Sequence, residues 1–322
     1  MHAGARRMMD ETFRRMGDPD GNFIDDFQGP GFHSRVFELA CFAYFEETGW
    51  SIDRTHTSPD FLIEKGGVRI AVEAVTLNPT AGRQEDIAVS TTSERTIDEV
   101  VARCNDELPI RLASAISNKL RKKYWEKPHC RGLPFVLIAG PFHEGGSTAY
   151  VDESIARYLF GRQRFHDWVD YNGVLVRELP VASHSFGGRS VPSNFFAAPA
   201  ATPLSAVIWT NQFTISRFAR LHAEAEGLPE PAEGAIVRGW YANPDGCGAK
   251  QFEYGLGSGA APPESWARGV SVMSNSMAAI ALPEGRFESS ATFRLRDAAL
   301  VCDIHHFHTL TCFTRFYGPP DV

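Results

Sequence analysis

Two strand-like runs around a pair of glycines constrain this chain most. DFLIE (Asp60–Glu64) and VRIAVEAVT (Val68–Thr76) are mainly apolar and β-branched, and Lys65-Gly66-Gly67 lies between them. A tight two-residue turn needs positive φ, which a Gly-Gly pair adopts without steric cost. With Gly66 and Gly67 in the turn, Lys65 faces Val68, Ile63 faces Ile70 and Asp60 faces Glu73. Residues paired in this way hold their Cβ atoms about 5 Å apart on one face. Two carboxylates placed so repel unless positive charge lies between them. Mg2+ suits that position, since it takes carboxylate oxygens and keeps several waters. A three-residue turn would slip the register by one and separate the pair. The plain alternative is two solvated carboxylates at strand ends.

A helix is expected before the hairpin, over Gly31–Trp50, and a short strand near Trp50–Asp53. From Val36 to Phe45 the helix is apolar nearly all round except at Glu38, the pattern of a buried helix. A carboxylate there needs a partner or a metal, and Arg35, one turn earlier, is the simplest partner. Glu46 and Glu47 read as solvated. After the hairpin, an acidic segment (Ala81–Leu108) reads as helical, and Leu108–Arg131 reads as a basic helix ended by Pro128. Its apolar stripe is Leu112, Ile116, Leu120 and Tyr124. Lys119 and Lys123 border that stripe, whereas Arg121 and Lys122 point outward. A solvated basic face without a ligand is the plain reading. LPFVLIAG (Leu133–Gly140) reads as a buried strand.

Composition excludes several classes. The chain has 322 residues, 43% hydrophobic and 22% charged, which fits a folded globular protein of one or two domains. No apolar run approaches the roughly 20 residues of a membrane span, and the first residues lack a signal peptide's apolar stretch. The six cysteines are scattered without a CxxC, which argues against a zinc ribbon or disulfide framework and fits a reducing cytoplasm. A net charge of −7 gives no global attraction to nucleic acid, so binding would need the local basic patch.

Pro59-Asp60, Glu73 and Glu38, set in the order helix, three strands, helix, strand, carry a resemblance. The stretch over residues 31–140 resembles the PD-(D/E)XK nuclease superfamily, the restriction-endonuclease-like fold. The resemblance implies an α/β (α+β mixed) chain with an α-β-β-β-α-β core over 31–145, preceded by an arm (1–30) and followed by an α+β extension or second domain (146–322). RVFEL…PDF…VEAVTLNP also looks like an uncharacterised bacterial family associated with that fold. By the same resemblance, Asp60, Glu73 and the Ala74 carbonyl would hold Mg2+ or Mn2+, and Glu38 a second ion or a metal-bound water. The family's motif lysine falls two residues after Glu73, where this chain has Val75. A basic group from the following helix would have to replace it: Lys119 first, Lys123 second, with Thr76 and Asn78 as polar substitutes. Arg121, Lys122, Lys123 and Lys127 would neutralise phosphates.

Beyond residue 140, GVLVREL, SAVIWTN, GVSVMSN and ATFRLRDAALV read as strands, and Asp152–Phe160 and Ile215–Ala225 as helices. Trp240, Tyr241, Phe252 and Trp266 are either core or base-stacking aromatics. His306, His308 and Cys312 share a strand parity without a fourth ligand, and no Ser-His-Asp spacing supports a hydrolase in this half. Two functions of different class follow. One is a metal-dependent nuclease, most simply of DNA, in restriction or phage defence. The other is a catalytically inactive nuclease-like protein that binds nucleic acid or acts as a scaffold. The resemblance leaves the oligomeric state open, a homodimer included.

Overall fold

The computed structural model describes residues 3–18, 21–79, 96–144, 146, 149–168, 174–228, 234–243, 248–258, 263–305 and 307–317. The described helices are α1 (Ala3–Met16), α2 (Phe23–Phe27), α3 (Phe32–Glu47), α4 (Ile97–Ala102), α5 (Leu108–Leu120), α6 (Asp152–Phe160) and α7 (Ile215–Glu226). The strands begin with β1 (Ser51–Asp53), β2 (Phe61–Lys65), β3 (Val68–Leu77) and β4 (Phe135–Pro141). Two hairpins follow, β5 (Arg162–Trp168) with β6 (Val174–Pro180) and β7 (Ser183–Phe186) with β8 (Arg189–Pro192). Then come β9 (Ala206–Trp209), β10 (Gly234–Ala242), β11 (Ala249–Gly255) and β12 (Ser271–Ser274). The last three are β13 (Ala291–Arg296), β14 (Ala299–Ile304) and β15 (Thr309–Tyr317).

Gly66 and Gly67 both take positive φ, 59° and 74°, and set the register the sequence requires. Ile63 pairs with Ile70 and Lys65 with Val68. Strands β1 and β2 are antiparallel, as are β2 and β3, while β4 lies parallel to both β3 and β9. The fold is mixed α/β around one eight-stranded mixed sheet in the order β1-β2-β3-β4-β9-β12-β13-β14. Strands from the second half of the chain therefore continue the sheet begun by the first. ATFRLRDAALV forms two strands, β13 and β14, because Asp297 and Ala298 turn the chain at φ 51° and 62°.

Each face of the sheet buries one apolar layer. Val36–Phe45 of α3 are all buried, packing with Phe61, Ile63, Ile70 and Val72 on one face. Gly140 permits that approach, since a Cβ there would lie 2.5 Å from the Phe37 ring. Leu112, Ile116 and Leu120 of α5 pack with Leu62, Ala71, Val75 and Leu137 on the other. Residues expected as an N-terminal arm form α1 and α2, whose Ala5, Met9, Met16 and Phe23 join the α3 layer. The acidic segment expected to be helical is helical from Ile97, and residues 80–95 lie outside the described residues.

The basic helix ends earlier than the sequence suggests. Arg121 still bonds to the Ser117 carbonyl, but Lys122 and Lys123 bond three residues back, to Lys119 and Leu120. Lys123 then turns left-handed at φ 50°, and a short 3-10 turn covers Tyr124–Glu126. Pro128 is thus not the terminator. No helix among the described residues is long and apolar enough to cross a membrane.

Candidate active site

Asp60 directly precedes β2, and Glu73 lies on β3 opposite it in the extended register. Their relation is reciprocal. The Asp60 amide donates to Glu73 Oε2 at 3.2 Å, and the Ala74 amide donates to Asp60 Oδ2 at 2.7 Å. Each carboxylate thus accepts a backbone N–H supplied from beside the other. In a strand the N–H and C=O of one residue point the same way, so the Ala74 carbonyl is also turned toward Asp60. These are hard oxygen donors, the chemistry that Mg2+ or Mn2+ selects.

Glu73 is only 3% exposed, and the opposite face of its carboxylate is occupied by cation and hydroxyl. Lys119 Nζ lies 2.5 Å from Glu73 Oε1, and Tyr124 Oη donates to the same oxygen at 2.6 Å. Lys119 reaches Glu73 from α5, across the layer where Val75 is packed among Leu112 and Ile116. The residue two after Glu73 thus lies on an apolar face already covered by a helix, and the helix supplies the amine. In the sequence Tyr124 stands out only as part of the apolar stripe. It meets Glu73 because the left-handed Lys123 folds the chain back beneath α5. Burial and the bond to Glu73 push its phenol well above the usual range.

Burial raises the Asp60 carboxyl to about 7, and the neighbouring Glu73 charge adds to the rise, against the opposing pull of Lys119 and the Ala74 N–H. Asp60 Oδ1 has no hydrogen-bond partner among the described residues. The group is therefore poised to gain charge when a cation arrives.

Other candidates are placed differently. Glu38 is 6% exposed and doubly held, by Arg35 at 2.7 Å and Arg54 at 2.9 Å. The expected Arg35 pair exists, and a second guanidinium, from the loop after β1, bonds the other carboxylate oxygen. Lys123 does not border the packed layer. Its left-handed backbone turns it into solvent, where it pairs with Glu126 at 3.0 Å. Thr76 and Asn78 are engaged with Ser34 on α3, at 2.7 and 3.4 Å. Arg121 and Lys122 are exposed. Lys127 is bonded to the Ser58 hydroxyl, and His129 lies 2.8 Å from the Ser58 carbonyl and stacks on His56 at 3.8 Å. These contacts tie the turn after α5 to the loop that delivers Asp60.

Among the described residues no three His, Cys, Asp or Glu side chains converge on a metal position. A site of two carboxylates and a carbonyl, completed by water, is the arrangement Mg2+ commonly takes.

A Ser-His-Asp group exists in the C-terminal half. His308 bridges Ser290, at 2.7 Å through Nδ1, and Asp152, at 3.0 Å through Nε2. The members lie up to 156 positions apart, so spacing could not reveal them. All three are buried, and Ser290 Oγ already accepts the Gly269 amide at 2.8 Å. A nucleophile needs a free, reachable oxygen, so this group pins α6 to the approach of β15 rather than catalysing. Cys312, expected on the face of His308, is half-buried on β15, and His306 lies outside the described residues.

No protein-family model, no curated protein and no solved structure matches the chain.

Proposed function

We propose that the chain is a metal-dependent phosphodiester hydrolase of nucleic acid, most simply DNA, built on a PD-(D/E)XK-like core whose lysine has moved to helix α5. The observation that carries this reading is the Lys119–Glu73 contact at 2.5 Å beside the reciprocal Asp60–Glu73 pair. It puts an amine next to two carboxylates although Val75 fills the family's lysine position.

Asp60, Glu73 and the Ala74 carbonyl would hold the divalent cation, which when bound supplies an activated water and neutralises phosphate charge. Lys119 has three N–H donors and no acceptor. Once it gives up Glu73 Oε1 it orients the attacking water or binds a phosphate oxygen as a point charge. Tyr124 keeps Glu73 aimed by donating to it. Arg121 and Lys122, exposed on the same basic segment, give binding a salt dependence. Glu38 acts through Arg35 and Arg54 rather than as a ligand in this reading.

One observation favours the alternative of a nuclease-like core that binds without cutting. Glu73 already accepts three donors and Glu38 two guanidiniums, so both carboxylates are neutralised without a metal.

Cleavage of a labelled duplex with Mg2+ or Mn2+ separates the two. Lys119→Met is expected to cut about 10²- to 10³-fold more slowly than wild type, the usual cost of one charge-stabilising donor. Lys119→Arg should restore part of the rate. Cutting by Lys119→Met at the wild-type rate would remove the lysine from the mechanism. Absence of cutting by wild type with salt-sensitive binding intact would favour the binder.

A further inference from the structure

Strands β10, β11 and β15 form a separate antiparallel sheet with two unlike faces. On the inner face Ala235, Val237, Tyr254 and Leu256 are buried against Ala223 of α7. Thr314, on that same face, accepts a hydrogen bond from Arg220 of α7 at 2.8 Å. The register fixes the outer face. Trp240 pairs with Gln251 and Thr311, Arg238 with Glu253 and Phe313, and Ile236 with Gly255 and Arg315. Paired residues share a face, so Trp240, Arg238, Phe313 and Arg315 form one connected surface.

That surface is open. Trp240 is 44% exposed and Tyr317 40%, while Arg238, Gln251, Glu253 and Arg315 are exposed as well. Trp266, by contrast, is core, and Tyr241 stacks on Phe307 at 4.4 Å. Of the four aromatics that the sequence offers for stacking, Trp240 is exposed, Tyr241 and Phe252 are half-buried and Trp266 is buried. A bulge between Trp240 and Tyr241 shifts the pairing with β15 at that residue, and bulges commonly re-aim side chains where binding occurs. The Arg315 guanidinium lies 5.2 Å from the Tyr317 ring centroid.

We infer that the outer face of this sheet is a stacking platform for the bases of single-stranded nucleic acid, with Trp240 as its main contact. Exposed aromatics interleaved with arginines on an open sheet give the two contacts a single strand needs. Bases stack on the ring faces, and phosphates or base faces meet the guanidiniums. Among the described residues Glu253 is the one acid on the face, and it stands opposite Arg238. The platform uses no side chain of the carboxylate site, so it holds whether or not that site cuts.

The test uses the full chain in EDTA, where hydrolysis does not enter. Anisotropy would compare a labelled oligodeoxythymidine with an abasic oligomer of equal length and with a duplex. Wild type should bind the base-bearing strand at least about tenfold more tightly than the abasic one, and Trp240→Ala should erase that difference. Trp240→Phe, which keeps a ring, should hold within about threefold of wild type. Arg315→Ala should reduce the salt dependence while keeping the preference for bases. If Trp240→Ala fails to fold, the Phe and Arg315 variants still decide. Equal affinity for base-bearing and abasic strands, an unchanged Trp240→Ala, or no binding by wild type would each overturn the inference.

Discussion

Asp60→Asn is expected to melt at a higher temperature than wild type at about pH 8 without divalent ions, and to match it at about pH 4. Burial and Glu73 raise the Asp60 carboxyl from 3.8 to about 7 in the folded chain. A raised acid favours folding in its protonated form, so its contribution is greatest below the unfolded value and is lost as pH rises through the folded one. Above about 7 the wild type therefore carries a half-buried charge beside Glu73 that Asn lacks. The span of the shift bounds the penalty at on the order of a few kcal/mol, and loss of a charged acceptor for the Ala74 amide offsets part of it. Mg2+ should reverse the order at pH 8 by stabilising wild type and leaving Asp60→Asn unmoved. Thermal melts over the pH range, with and without Mg2+, check both halves. A lower melting temperature for Asp60→Asn at pH 8 without metal would mean that Lys119 neutralises Asp60 as fully as it does Glu73.

Glu264→Ala is expected to cause the largest loss of stability. The Glu264 side chain is 1% exposed, with the buried Arg217, Arg220 and Arg268 around it. It pairs with Arg217, with Arg220 at 2.8 Å and with Arg268 at 3.6 Å. Burial alone would raise its carboxyl, but the three guanidiniums outweigh that and bring it down to about 2. Arginine does not surrender its proton in a protein, so removing Glu264 leaves like charges buried without a counter-ion. Breaking one side of a buried pair costs roughly 3–5 kcal/mol, a large part of the 5–15 kcal/mol typical of a native protein. Urea unfolding of Glu264→Ala beside Glu264→Gln measures it. Gln keeps the shape and a hydrogen bond to Arg220 and should cost less. A loss below about 1 kcal/mol for Ala would show that water reaches the cluster.

The features that were legible in the sequence are local ones. Gly66-Gly67 fixes a turn, the turn fixes the register, and the register brings Asp60 to Glu73. The apolar run of α3 marks its burial in the same way. What escaped the sequence depends on partners distant in the chain or on backbone states without a residue signature. Lys123 takes a left-handed conformation that glycine or asparagine would have announced, so the end of α5 and the contact of Tyr124 with Glu73 were hidden. Arg54 captures Glu38 from a loop with no pattern of its own. The bonds of His308 to Asp152 and of Glu264 to Arg217 join residues 156 and 47 positions apart. The i+3 spacing from Ile116 did place Lys119 beside the packed stripe, close enough to find Glu73.

Nicking and linearisation of supercoiled plasmid would test the central claim most directly, with Mg2+, Mn2+ and EDTA in parallel, for wild type, Asp60→Asn and Glu73→Gln. Metal-dependent cutting by wild type, lost in both variants while their folding and DNA binding persist, is the result the site geometry predicts. Equal cutting by Asp60→Asn and wild type would contradict it, because the pair at the mouth of the hairpin would then not be the reacting centre.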